Sequence, residues 1–453
     1  MPTDLDEIIY QNSIKNNQEI KVESKNLARV VDELNDFLLK EHSDLFTKAL
    51  LEENANEKIK EIIKNYVIEE KLIIDGYPSD HNIITKILVS EVIEFGPITK
   101  YLFDKSVTEI YVNGPDEIRI ERNGGPPVLT DDKFTSLEQA INIAKRILRN
   151  VGKTISPNDS SQDAVLPDGS RINIKIAPAA IRGISMDIRK HFYRPFTAEE
   201  YTGSNIMTER MIEFLKMIVE GKQTIFVIGP TGSGKTSLMR FLCDYIPDTE
   251  RIITIEDTPE LNLLKLDQNS RPINHIVPWQ TVPNASVPVT LASSIKDALR
   301  NKPDRIIIGE VRGGEAFDMI SATQTGHPGM SSYHAKNLDD AIERLIVMCK
   351  ASGTDLSERI LYKMIVNAVD FIVVIRKLPD FTRKILEITE IVGVDENNNV
   401  IVNPIFKFVP TGKNDKGIIL GDFRQVGEIT EETYYDLLLA GIDEKRLNSF
   451  KLK

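Results

Sequence analysis

Apolar residues recur along this chain with three different rhythms, and each rhythm marks off a region. Leu27, Val30, Val31, Leu34, Phe37 and Leu38 fall three or four positions apart, and Ile59, Ile62, Ile63, Tyr66 and Val67 repeat the spacing. That spacing lines one face of a helix, so residues 1–81 read as an N-terminal helical region behind a polar start. From Asn82 to His191 short apolar or alternating runs take over. Ile110–Val112 and Ile118–Glu121 read as strands, Arg122–Gly125 as a hairpin turn, Leu137–Val151 as an amphipathic helix closed by Gly152, and Leu166–Ile174 as a turn entering a strand. These elements predict an α+β domain over 82–191. Phe192–Ser204, with Pro195 and Gly203, reads as a linker (192–204).

Beyond the linker the strands lose their alternation. Ile225–Ile228, Ile252–Ile255, Ile306–Ile308 and Phe371–Ile375 are almost continuously apolar or β-branched, which suits strands buried on both faces. Helical stretches separate them, among them Met211–Val219 with Thr208 as N-cap and Gly221 past its end. The order predicts an α/β domain over 205–453, a parallel sheet covered by helices. Lys384–Val394 and Val400–Phe408 form a hairpin around Glu396–Asn399, and Thr430–Leu439 is the expected final helix. No internal repeat or low-complexity tract interrupts this order.

Composition narrows the class. At 453 residues and 41% hydrophobic content, the chain is packed and multidomain. It has no run of about 18 uncharged apolar residues, and its start has neither a basic nor an apolar signal region. Only Cys243 and Cys349 are present, which excludes a disulfide framework and fits a reducing cytoplasm. The formal net charge of -12 disfavours a general nucleic-acid binder.

Candidate chemistry centres on Gly229, Pro230, Thr231, Gly232, Ser233, Gly234, Lys235, Thr236 and Ser237. They fit the pattern G-x-x-x-x-G-K-[ST] between a strand and a helix, the phosphate-binding P-loop. The glycines let backbone N–H groups turn inward onto a polyphosphate, and the helix adds its positive end. Lys235 is expected on the β- and γ-phosphates and the Thr236 hydroxyl on Mg²⁺, which makes ATP and Mg²⁺ the expected cofactors. Glu256 and Asp257 end one apolar strand and Glu310 ends another, and ligands bind at the carboxyl ends of parallel strands. Gly309 stands where a Walker B aspartate is usual, so Glu310 is expected to organise the metal's water shell and Glu256 to polarise water. His327 and His334 lie close together in a loop-and-strand element and are candidate γ-phosphate contacts. Arg171 and Arg189 lie in the preceding domain, where spacing alone makes them surface arginines.

With these residues in view, Gly229–Thr236, Ile255–Leu261, Pro303–Gly313 and Thr325–Ala335 resemble the Walker A, Asp, atypical Walker B and His boxes of the type II/type IV secretion and type IV pilus assembly ATPases. Val107–Pro115 and Leu166–Asn173 resemble the N-terminal domain of the tight-adherence pilus branch, CpaF/TadA-like. Val165 and Lys302 stand where that branch carries arginines, and the spacing of the two histidines is closer to archaeal pilus motors. The resemblance implies a RecA-like P-loop ATPase domain behind the α+β domain, and a homo-hexameric motor. It also implies a cytoplasmic location on the inner face of the cell membrane, an inner-membrane platform protein as partner, pilins as indirect cargo, and no direct nucleic-acid contact. Arg171 and Arg189 then match arginines that reach the phosphates. A RecA-like DNA translocase, as in conjugative transfer, is the alternative, and a nucleotide-binding module without turnover is a third reading.

Overall fold

The computed structural model describes residues 24–49, 53–149, 151–166, 169–190, 196–283, 285–397 and 399–452. Pro167 and Asp168 of the predicted turn, His191, the first residues of the predicted linker and Asn398 lie outside them. The chain divides into two compact units, Met1–His191 and Phe192–Lys453.

In the first unit, helices Leu27–Glu41, Ser43–Ala49, Glu53–Glu69 and His81–Val92 enclose a core of their own that includes Val30, Leu34, Leu38, Ile59 and Ile63. These are the residues whose spacing predicted the helices. A six-stranded sheet follows, with β1 (Val107–Val112), β2 (Ile118–Arg122), β3 (Val128–Leu129), β4 (Ser161–Val165), β5 (Arg171–Ile176) and β6 (Ile184–Arg189). Its spatial order is β3-β2-β1-β6-β5-β4, and every pair is antiparallel. Ile110, Ile172, Ile174 and Ile188 face a core shared with helix Leu137–Arg149, whose Ala140, Ile143, Ala144 and Ile147 are buried. The other face carries Glu109, Arg171, Asn173, Asp187 and Arg189, as alternation in a one-sided sheet requires. β4 carries little strand periodicity of its own, and pairing with β5 and β1 places β4 and β6 in the sheet. Arg146 donates to the Ser90 carbonyl at 2.5 Å and so joins the helical part to this domain.

The second unit begins with helix Ala198–Gly203, inside the stretch predicted to be linker. Thr197 and Glu200 form a reciprocal capping box at its start, and this pairing stabilises a short helix that apolar periodicity does not announce. Helix Glu209–Glu220 starts at Thr208, whose side chain accepts from the Met211 N–H. The sheet has nine strands in the order β15-β14-β13-β12-β7-β11-β10-β8-β9. They are β7 (Ile225–Ile228), β8 (Ile252–Glu256), β9 (Ile276–Gln280), β10 (Arg305–Ile308), β11 (Gly329–Tyr333), β12 (Phe371–Lys377), β13 (Arg383–Val394), β14 (Val400–Lys413) and β15 (Ile419–Gln425). From β12 to β9 all neighbours are parallel, and β13, β14 and β15 extend the edge antiparallel. Successive residues of β7 enter different cores, Ile225 and Val227 one, Phe226 and Ile228 the other, so helices cover both faces. The expected α/β fold is borne out.

Strand β11 holds the centre with only Gly329-Met-Ser-Ser-Tyr333, all buried. A Cβ on Gly329 would lie 2.4 Å from the Ile306 carbonyl oxygen, so glycine allows the close approach of β10. One expectation is corrected at the end of the chain. The helix read as final is Glu431–Leu439, with Thr430 as its N-cap, and a further short helix, Glu444–Asn448, follows. Asp443 caps that helix by accepting from the Lys445 and Arg446 N–H groups, a local polar signal rather than a periodic one.

Candidate functional site

Strand β7 ends at Ile228, and the next helix, Lys235–Cys243, begins directly after Gly234. A Cβ on Gly229 would lie 2.1 Å from the Ile375 carbonyl oxygen and 2.7 Å from Ser233 Oγ, so the loop can pass β12 only with glycine there. Gly234, with φ 99, turns the chain into the helix in the left-handed region. Pro230 is half-buried, Thr231, Gly232 and Ser237 are exposed on the rim, and Thr236 is half-buried in the first helical turn.

Inside the loop Lys235 is buried, and its Nζ donates to the carbonyls of Gly229 at 3.0 Å and Pro230 at 3.3 Å. It also lies 3.1 Å from His334 Nδ1. Burial pulls the Lys235 pKa below its ordinary value, with Glu310 opposing. On its other side His334 Nε2 is 2.9 Å from Glu310 Oε1. His334 Nδ1 also lies 3.3 Å from the Gly229 carbonyl oxygen, so the lysine and the loop carbonyl both crowd that ring nitrogen. Lys235, His334 and Glu310 thus form one chain across the ends of β7, β11 and β10.

Glu310 also accepts from Arg312 Nη2 at 2.9 Å. Burial pushes the Glu310 pKa up, but Arg312, with His334 and Lys235, outweighs it and leaves the carboxyl below its ordinary range. It is ionised at neutral pH.

These residues suit a polyphosphate. A buried ammonium is held by neutral carbonyls and an imidazole, the helix N-terminus faces the loop, and the buried Ser233 Oγ has no hydrogen-bond partner among the described residues. Among those residues no group of three or more His, Cys, Asp or Glu is placed to hold a metal. Mg²⁺ is bound through one or two protein groups plus substrate phosphates and water rather than an all-protein cage.

Glu256 ends β8 beside Gly309, whose N–H donates to the Ile255 carbonyl at 3.0 Å. A Cβ on Gly309 would sit 3.0 Å from Glu256 Cγ and 3.1 Å from its Oε1. The Glu256 side chain therefore packs against Gly309 where a larger residue would crowd it. Glu256 is buried, and its Oε1 accepts from the Glu260 N–H at 2.9 Å and the Leu261 N–H at 3.1 Å. Glu310, rather than Glu256, is the carboxylate joined to the P-loop lysine.

The two histidines are separated. His334 follows the carboxyl end of β11, whereas His327 precedes its first residue at the opposite edge of the sheet, half-buried, with Nδ1 3.0 Å from Thr325 Oγ1. Closeness in sequence misled here, because five residues of extended strand lie between the two edges. Arg171 and Arg189 belong to the first unit, where they are direct cross-strand partners on β5 and β6, and Arg189 Nε donates to Glu109 Oε1 at 2.6 Å. Burial raises the Glu109 pKa despite that arginine.

Sequence reasoning assigned no role to Arg383. Its Nε and Nη2 donate to the Gly232 carbonyl at 3.2 and 3.0 Å, so the start of β13 holds the crest of the loop. Only the strand order, with β12 between β13 and β7, brings it there, and no local motif marks it.

A sequence profile described as type II/IV secretion system protein matches residues 91–410. The chain belongs to the type II/IV secretion system ATPase family. VirB11, a type IV secretion system protein of Brucella suis biovar 1, is 32% identical over 303 residues, which cover 61% of this chain and 83% of VirB11. The uncharacterized protein MJ0900 of Methanocaldococcus jannaschii is 26% identical over 352 residues, 76% of this chain and 62% of that one. Among solved structures, the VirB11 ATPase of the Brucella suis type IV secretion system in complex with sulphate has 30% identity and a TM-score of 0.35, covering 64% of this chain and 94% of its own. Family membership applies to the matched residues, which span the sheet of the first unit, the P-loop, Glu256, Glu310 and His334. No helix among the described residues is long and apolar enough to cross a membrane.

Proposed function

We propose that this family member is the ATP-hydrolysing motor of a type IV secretion or pilus assembly machine, working as a homo-hexameric ring on the cytoplasmic face of a membrane. The observation that carries the reading is the Lys235–His334–Glu310 chain, because it joins the phosphate loop to the acidic strand end within hydrogen-bond distance. When a γ-phosphate enters, Lys235 exchanges the Gly229 and Pro230 carbonyls for phosphate oxygens, and His334 loses its lysine partner. The imidazole then turns on the presence of the γ-phosphate, and Glu310 feels that change directly. Thr236 and Glu310 would hold Mg²⁺, which neutralises phosphate charge when bound. Glu256 releases Oε1 from the Glu260–Leu261 turn if it is to aim a water, so Glu310 is placed first for that task. By the family resemblance, Arg171 and Arg189 of the 82–191 domain are the candidates for neutralising charge that develops on the transferred phosphoryl group. Hydrolysis would then drive work on an inner-membrane platform protein, and pilins or secreted chains move indirectly.

The likeness of the matched region to VirB11 supports a secretion machine, and the Val107–Pro115 and Leu166–Asn173 motifs support the tight-adherence pilus branch. Turnover of ATP by the purified chain, with and without DNA and with Lys235→Ala and Glu256→Gln beside it, tests the proposal. The expected result is turnover that Lys235→Ala abolishes and DNA leaves unchanged. Stimulation of tenfold or more by DNA would make it a translocase, and no turnover at all would make it a nucleotide-binding module.

A further inference from the structure

Residues after 410 lie outside the family match, and they include the helices Glu431–Leu439 and Glu444–Asn448. They are firmly docked. Leu437 is fully buried, and a Cβ on Gly221 would lie 2.1 Å from its Cδ2. Phe450 packs edge-on to Phe214 at 5.3 Å between ring centres, and Arg446 pairs with Glu220. With one face fixed, the opposite face of Glu431–Leu439 is presented in a single orientation. It carries Tyr435, Leu438 and Leu439, 61%, 37% and 70% exposed. Positions i, i+3 and i+4 form one continuous stripe on a helix, so this is a patch and not three scattered residues.

The charge around the stripe selects what can cover it. Between Glu428 and Glu444 there are six carboxylates, Glu428, Glu431, Glu432, Asp436, Asp443 and Glu444, and no lysine or arginine. Seventeen residues thus hold half of the chain's formal net charge of -12. Glu431, Glu432, Asp436 and Glu444 form no ion pair among the described residues. Nucleic acid and the anionic inner leaflet are both repelled by such a rim. A second copy facing it through the same patch would set the acids of one chain against those of the other. The partner that matches both the stripe and its rim is a cationic amphipathic polypeptide, whose apolar side covers the stripe while its lysines or arginines meet the carboxylates.

We propose that the outer face of Glu431–Leu439 is a docking surface for a basic amphipathic segment of a membrane protein exposed on the cytoplasmic side. Such segments carry an excess of lysine and arginine, and the assignment to a membrane protein rests on the motor reading above. The surface would set where the ring engages its partner without touching the nucleotide site.

The test uses the full chain and a fluorescein-labelled 18-residue Leu/Lys amphipathic helix, its Leu/Glu counterpart, and phosphatidylcholine vesicles with and without phosphatidylserine. Anisotropy should show binding of the Leu/Lys peptide that weakens with salt, and no binding of the Leu/Glu peptide; vesicles should not sediment with the protein. The double variant Leu438→Asp/Leu439→Asp and, separately, Glu431→Lys/Glu432→Lys should each weaken peptide binding at least tenfold. Their ATP turnover should stay within twofold of the parent, which also reports that they are folded. Equal peptide affinity in the parent and both variants, or binding to anionic vesicles, overturns the proposal. Lys235→Ala is expected to remove turnover and keep peptide binding, so failure of the motor reading and failure of this surface give different results.

Discussion

At the amino edge of the nine-stranded sheet Arg305 and Glu250 form a buried two-pronged ion pair, with 2.7 and 3.2 Å contacts. At the carboxyl edge the buried cation is Lys235, and it rests on two carbonyls and a histidine. Both edges bury charge, but only the first is complete within the chain. Arg305 has a carboxylate on its fork, and Asp370 accepts the Thr224 N–H at 2.6 Å where β7 begins. Lys235 instead has partners that a phosphate can replace, and Ser233 Oγ has none among the described residues. The difference is one of position and partner together: the Arg305–Glu250 pair is satisfied by its own chain and holds the fold, whereas Lys235 rests on neutral groups inside a phosphate loop, where a ligand can displace them.

The comparison can be broken by substitutions at each edge, the largest effect first. Arg305→Met strands Glu250 in the interior and is expected to cost roughly 3–5 kcal/mol in urea unfolding. Turnover per folded molecule should be unchanged, and adding Glu250→Gln should recover most of the loss. His334→Ala should lower kcat by roughly 10- to 100-fold, in the range of one lost transition-state donor or less, while His327→Ala stays within twofold. Equal losses for the two would show that the edges are not functionally distinct. Arg383→Ala removes a charge-assisted bond to the loop crest, worth about 1.5–3 kcal/mol at most. It should raise the KM for ATP severalfold with a smaller change in kcat, and Arg383→Lys should recover part of it.

The smallest effect concerns Asp370. Burial, reinforced by the facing carboxylates of Asp436 and Glu390 and opposed by the Thr224 N–H, pushes its pKa up to about 6. Between the ordinary aspartate range and about 6 the folded state therefore binds a proton that the unfolded chain has released. This contribution to stability is full at low pH and is lost as pH rises through that window. Asp370→Asn keeps an acceptor for Thr224 and removes the titration. It should be more stable than the parent at pH 7 by on the order of 1 kcal/mol, and the gain should vanish near pH 4. Stability that falls equally with pH in both proteins would assign the dependence to another group.

Much of this was legible along the chain. The helix faces at Leu27–Leu38 and Ile59–Val67, the doubly buried runs at β7, β8, β10 and β12, and the loop from Gly229 to Thr236 are local patterns, and they appear where the spacing put them. β9, β15 and the helix Ala198–Gly203 went unread because edge strands and short capped helices carry little periodicity. β11, a short central strand with two serines and a glycine, was legible as a loop-and-strand element but not as the centre of the sheet, since its burial comes from neighbours on both sides.

By itself the sequence determined the phosphate loop, the apolar strands that lead into the acidic ends, and the helical faces, because each depends on residues within one or two turns of each other. Only the tertiary structure decided that His334 joins Lys235 to Glu310, that His327 stands at the far edge, that Glu256 packs against Gly309, and that Arg383 holds the loop. Each of those contacts crosses between strands whose order in the sheet differs from their order in the chain, and spacing along one strand carries no record of which strand will lie beside it.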